Sequence, residues 1–172
     1  MWAIIDSNEG VDQKKEKVLD PSKLASRYLQ WYRSGPFDIG NATNSAMNNI
    51  KKNGVEQHEQ AKADTASSNK RSKSNGCLMR MTPLAVWAAN LIAQKDYKAF
   101  KQAISTDVLF THPNVIANEG VFVYCAAIGH LLTSKTANKK KRAQEAIDLA
   151  FTLAKSDLAA TVEDGEQIIA WL

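Results

Sequence analysis

The chain has 172 residues, 44% hydrophobic and 23% charged, which is the make-up of ordinary globular material and excludes a disordered tail. Lys and Arg number 22 against 18 Asp and Glu, leaving +4. That excess favours anionic ligands but is far too small to mark a nucleic-acid binder.

Residues 1–5 are apolar from the start, with no Ser, Thr, Asp or Asn ahead of them to cap a helix, so the chain is expected to begin inside one. Asp20 reads as an N-cap and Pro21 as a first helical residue, followed by Leu24, Tyr28, Trp31 and Tyr32 on one face. Ser34-Gly35-Pro36 ends that helix, and Gly40-Asn41 reopens one that carries Ala42, Ala46, Met47 and Ile50. Residues 51–73 shift to Lys, Asn, Ser, Gln, Asp and Ala, which predicts a polar, solvated loop or insertion.

Thr82 and Pro83 open a helix with Leu84, Val86, Trp87, Leu91 and Ile92, and Asp96 caps another that runs through Phe100 and Ile104. Pro113 is expected to start the longest helix, with Val121, Tyr124, Cys125, Ile128 and Leu132 as its buried stripe. Residues 139–142 open a last helix with Ala146, Leu149, Ala150, Leu153 and Ala154. The apolar residues 168–172 then stop without a glycine cap or polar tail, so both ends read as cut. No alternating strand pattern occurs, and the fold class is all-α, in a single partial domain over residues 1–172.

Cys77 and Cys125 lie far apart with no C-x-x-C spacing and no neighbouring His pair, and read as free thiols of a reducing compartment. The best candidate for a membrane span, residues 115–132, is interrupted by Asn118, Glu119, Gly120 and His130, and no signal peptide opens the chain. A cytoplasmic protein is expected.

Three segments break local rules. In residues 35–43 a carboxylate, Asp38, sits in a Gly-flanked turn between helices, where it serves either a ligand or the turn itself. In residues 74–80 the Asn75-Gly76 pair permits positive φ and lets backbone N–H groups approach a ligand, while Arg80 can clamp phosphate; the same residues also make an ordinary turn and a surface arginine. Thr111-His112-Pro113 puts a histidine ahead of a helix N-terminus, where it can meet an anion or merely cap and pack. His58 and His130 offer less, and no G-x-x-x-x-G-K, G-x-S-x-G or H-E-x-x-H motif occurs.

Residues 28–41 (Tyr-Leu-Gln-Trp-Tyr-Arg-Ser-Gly-Pro-Phe-Asp-Ile-Gly-Asn), residues 74–84 (Ser-Asn-Gly-Cys-Leu-Met-Arg-Met-Thr-Pro-Leu) and Thr111-His112-Pro113 together resemble, in order and spacing, the ADP-ribosylglycohydrolase family. The resemblance implies an orthogonal multi-helix bundle that uses two magnesium or manganese ions to hydrolyse the glycosidic bond of ADP-ribosylated proteins or small molecules. It assigns Ser74, Asn75, Gly76, Cys77, Met79 and Arg80 to the ADP-ribose pocket, His112 beside them, and Asp38 near the scissile end.

It also implies acidic metal-binding motifs ahead of the helix at residues 1–7 and beyond Trp171, and neither lies in this sequence. The chain by itself is therefore expected to hold no metal and to be inactive, with a non-catalytic ADP-ribose-binding or structural relative as the alternative. Self-association through exposed apolar ends is a further expectation, and RNA binding through residues 51–73 and 139–142 a weaker one.

Overall fold

The computed structural model describes residues 1–8 and 19–156, and among them the chain is helical with no strand. Eight α-helices follow one another there: α1 (Trp2–Ser7), α2 (Pro21–Arg33), α3 (Asn41–Asn53), α4 (His58–Asn69), α5 (Thr82–Ala93), α6 (Tyr97–Val108), α7 (Val115–Thr133) and α8 (Lys139–Ala154). The all-α expectation holds. The apolar residues 168–172 lie outside the described residues. The chain divides into two compact units, the first made of Met1–Gly76 with Thr106–Asn114, the second of Cys77–Ser105 with Val115–Leu172.

In the first unit α2 starts as its sequence dictates. The Asp20 carboxylate accepts hydrogen bonds from the backbone N–H of Ser22 at 2.8 Å and Lys23 at 3.4 Å, and Pro21 fills the first turn, where its missing N–H costs nothing. Leu24, Ala25 and Leu29 are buried along one face of α2, which packs on α1 and α3. The Arg27 guanidinium holds both oxygens of Asp6 on α1, at 2.5 and 2.9 Å. On α3 the buried residues Ala46, Met47 and Ile50 recur at helical spacing, as predicted.

The loop expected over residues 51–73 is instead mostly helix. α3 runs on to Asn53, a single 3-10 turn follows at Val55–Gln57, and α4 occupies His58–Asn69 before the chain opens out at residues 71–75. The physical reason is visible in the residues. Ala, Glu, Gln and Lys are strong helix formers even when no large apolar side chain is present. Ala61, Thr65 and Asn69, each four residues after the last, form the buried stripe of α4. Small side chains let α4 lie close on α3, and side-chain hydrogen bonds cross the seam from Asn49 to Thr65 at 3.1 Å, from Asn53 to Asp64 at 3.0 Å and from Ser45 to Ser68 at 3.3 Å.

In the second unit α7 packs against both α5 and α8. It begins at Val115, two residues after the proline that was expected to start it, and its residues from Ile116 to Val123 are buried on every face. Within the predicted stripe Val121 and Cys125 are fully buried, whereas Leu132 is exposed because the cover thins toward the helix end. By length and composition α7 alone among the described helices could cross a membrane, yet 61% of its apolar window is buried inside the chain, as in a core helix. Gly129 makes the closest approach: a Cβ there would stand 2.7 Å from Ile92 Cγ1 of α5. Asp96 caps α6 by accepting from Ala99 N at 3.0 Å, and Asn138 caps α8 by accepting from Lys141 N at 3.1 Å. Thr82 is the first helical residue of α5 rather than its N-cap, a place that Met81 takes.

Candidate functional site

The chemistry-bearing residues of the first unit gather where α3 begins. Tyr32 near the end of α2 donates toward Asn44 Oδ1 at 2.9 Å and Asn48 Oδ1 at 3.0 Å, pinning the exit of α2 to α3. The chain between the two helices is thereby left to turn in solvent. Phe37 and Asp38 are exposed in that turn, and Gly40, the N-cap of α3, supplies no side chain to its free N–H groups. An open carboxylate in this place can accept hydrogen bonds from hydroxyl groups of a ligand.

Ser74 and His112, 38 residues apart, meet directly: Ser74 Oγ lies 2.9 Å from His112 Nε2. On the other side of the ring, Thr111 Oγ1 lies 2.6 Å from His112 Nδ1. His112 and Thr111 are both 0% exposed, whereas Ser74 and Asn75 face solvent. A neutral imidazole donates from one nitrogen and accepts at the other, so the two hydroxyls and the ring form a directed relay that ends at the exposed Ser74 hydroxyl. The Ser74 hydroxyl is thus exposed to solvent and backed by a buried imidazole held at both nitrogens.

Gly76 closes this arrangement. Its φ is not positive; among the described residues the positive-φ glycines are Gly35 and Gly54. The permissive backbone expected of Asn75-Gly76 is thus not what the position uses. A Cβ at Gly76 would lie 3.2 Å from His112 Nε2 and 3.3 Å from Thr43 Oγ1, so the glycine is there for the close approach of its backbone to the imidazole and to the first turn of α3.

Of the residues predicted from the sequence, the structure brings Ser74, Gly76 and His112 together, with Asn75 between the first two in the chain. No hydrogen bond joins Asp38 to them. Cys77, Met79 and Arg80 belong to the second unit, where Cys77 is buried, Met79 is 80% exposed on a single 3-10 turn (Leu78–Arg80) and Arg80 is half-buried.

Sequence reasoning missed Asn69, which it placed in the solvated insertion. Asn69 is 6% exposed, and its Nδ2 donates to Ala42 O at 2.8 Å and Thr111 O at 2.9 Å. The four-residue spacing Ala61, Thr65, Asn69 was the available signal. Directly after it, Lys70, Arg71 and Lys73 put three basic residues just ahead of Ser74, a sign of charge suited to an anionic ligand.

Among the described residues no three His, Cys, Asp or Glu side chains come together as a metal ion would require. Among the described residues the donors present do not fit a divalent cation.

Comparison with known proteins follows the same direction. A family model described as ADP-ribosylglycohydrolase matches residues 2–171. The chain is 30% identical over 122 residues to a protein of Acanthamoeba polyphaga mimivirus that carries the name ADP-ribosyl glycohydrolase. The aligned part is 69% of this chain and 34% of that protein, so the chain matches about a third of its relative's length. No solved structure gives a significant match.

Proposed function

This chain belongs to the ADP-ribosylglycohydrolase family, and we propose that it supplies the ADP-ribose-binding part of a hydrolase that cleaves the glycosidic bond of an ADP-ribosylated substrate. The observation that carries this reading is the relay from the exposed Ser74 hydroxyl through the buried His112 to Thr111, held tight under Gly76. Buried polar groups ordered in this way fix the orientation of one solvent-facing hydroxyl, which suits a ribose hydroxyl or a phosphate oxygen. Lys70, Arg71 and Lys73 add positive charge for the diphosphate.

In this role Ser74 and Asn75 contact the ligand, His112 orients Ser74, and Asp38 accepts hydroxyls of the sugar near the bond that breaks. We place the chain in the cytoplasm, a reading supported by its two free cysteines. In the complete hydrolase, bound magnesium or manganese would supply Lewis-acid polarisation of the ribose. We assign binding, not turnover, to this chain alone: one carboxylate and one imidazole each contribute only about 10²–10⁴-fold as positioned acid or base. The alternative, a relative that binds ADP-ribose without cleaving it, uses the same cluster and differs only in lacking activity when complete.

Titration calorimetry of ADP-ribose into the purified chain, with and without magnesium, tests the proposal. The expected result is binding independent of magnesium and weakened about tenfold in Ser74→Ala, the scale of one hydrogen bond to a ligand. A chain that is folded by circular dichroism and takes up no ADP-ribose would overturn it.

A further inference from the structure

We propose that Asn69 and Asn114 are positioning residues that clamp His112, so that the last turn of α4 sets the geometry of the ADP-ribose-binding segment; this rests on the reading of Ser74 and His112 as part of that site. The two amides work in opposite directions across one seam. Asn69, at the end of α4, donates from its single Nδ2 to Thr111 O at 2.9 Å and to Ala42 O at 2.8 Å. Asn114, at the far end of the histidine segment, donates back to Lys70 O at 3.0 Å. Residues 111–114 are therefore tied to α4 at both ends, with His112 between the ties.

The Asn69 amide joins two parts of the candidate site through one nitrogen. Ala42 precedes Thr43, whose hydroxyl lies 3.3 Å from the Cβ position of Gly76, and Thr111 carries the hydroxyl that meets His112 Nδ1. Both hydrogens of the amide are used, one for each carbonyl. No other side chain of this size brings two donors on one atom: an aspartate has none when ionised, and a leucine leaves the buried Thr111 carbonyl without that partner. A residue that only filled space at the end of α4 would not need an amide at 6% exposure.

The test reads His112 itself. In the ¹⁵N-labelled chain the imidazole nitrogens report the tautomer and hydrogen bonding of His112, and calorimetry reports ADP-ribose affinity. Asn69→Ala is expected to move the His112 nitrogen signals and to weaken ADP-ribose about tenfold, the scale of a lost buried hydrogen bond. Asn53→Ala removes a bond elsewhere on the same α3 and α4 seam, Asn53 Nδ2 to Asp64 Oδ2 at 3.0 Å, and is expected to leave both readouts unchanged. Should Asn69→Ala fail to fold, Asn114→Ala carries the same expectation with a smaller shift.

Unmoved His112 signals in a folded Asn69 or Asn114 variant overturn the clamp, as does an equal shift in Asn53→Ala, which would make it a general effect of loosening α4. A wild-type chain that does not bind ADP-ribose overturns the site reading alone, because the imidazole signals still decide whether the amides hold His112.

Discussion

Gly76→Ala puts the candidate site under the simplest perturbation, one methyl group. The added carbon would lie 3.2 Å from His112 Nε2, 3.3 Å from its Cε1 and 3.3 Å from Thr43 Oγ1. Carbon contacts are most favourable near 3.5–4.0 Å, so the methyl is compressed by a few tenths of an ångström on two sides. The ring cannot swing away cheaply, because it is fully buried and its nitrogens meet Ser74 at 2.9 Å and Thr111 at 2.6 Å.

Overpacking of this kind costs about 1–3 kcal/mol, and a compression this small belongs in the lower half of that range. The alanine also restricts the unfolded chain, a gain of about 0.4–1 kcal/mol. The net expectation is a loss of about 1 kcal/mol, or about 2–4 °C in Tm for a chain of this size. Urea denaturation with an unchanged slope, read against the wild-type chain, measures it. Gly76→Ala should also weaken ADP-ribose binding by displacing His112 from Ser74. If it unfolds at the same urea concentration as the wild-type chain and binds ADP-ribose as wild type does, the close packing around the imidazole is not a constraint and the reasoning fails.

Other positions give independent checks. Gly129→Ala sets a methyl 2.7 Å from Ile92 Cγ1 and 3.3 Å from Ile92 Cβ, and should cost about 1–3 kcal/mol in denaturation because the buried Ile92 must shift. Asp20→Ala removes the cap of α2 and should cost about 1 kcal/mol, whereas Asp20→Asn keeps most of it. The Asp20 carboxyl is held below its usual 3.8, first by the Ser22 hydroxyl and then by the N–H groups of Ser22 and Lys23. A lowered folded pKa means this stabilisation is complete above pH 3.8 and is lost as pH falls through the lower folded value, so acid unfolding curves of wild type and Asp20→Asn should converge only there. Curves that converge nearer neutral pH would place the titrating group elsewhere.

Much of the fold was legible because helix starts carry strong local chemistry. Asp20-Pro21 and Asp96 satisfy the needs of free N–H groups, a requirement that does not depend on the rest of the chain. The position of α4 was not legible by the same reasoning. Its sequence holds no large apolar residue between His58 and Asn69, and a reading weighted toward Leu, Ile and Phe finds solvent there. What fixes α4 is helix propensity, a stripe of Ala61, Thr65 and Asn69, and side-chain hydrogen bonds whose partners lie on α3. Hydrophobic periodicity cannot see an interface made of small and polar side chains.

The candidate site shows the same division in sharper form. Each of its segments announced itself by local oddity, the Gly-flanked turn at Asp38, the Ser-Asn-Gly at 74–76 and the histidine before a proline at 112. Which of them touch depends on chain path, and residues 74 and 112 are brought together by neither a shared helix nor a shared turn. The join is made by Asn69, a residue with no motif, whose amide reaches Ala42 and Thr111 at once. A catalytic or binding group must carry distinctive chemistry and so is visible alone, whereas the group that holds it in place needs only one well-aimed amide. That is why the supporting residue was hidden in a segment whose composition read as solvent-facing, and why its removal is the more informative experiment.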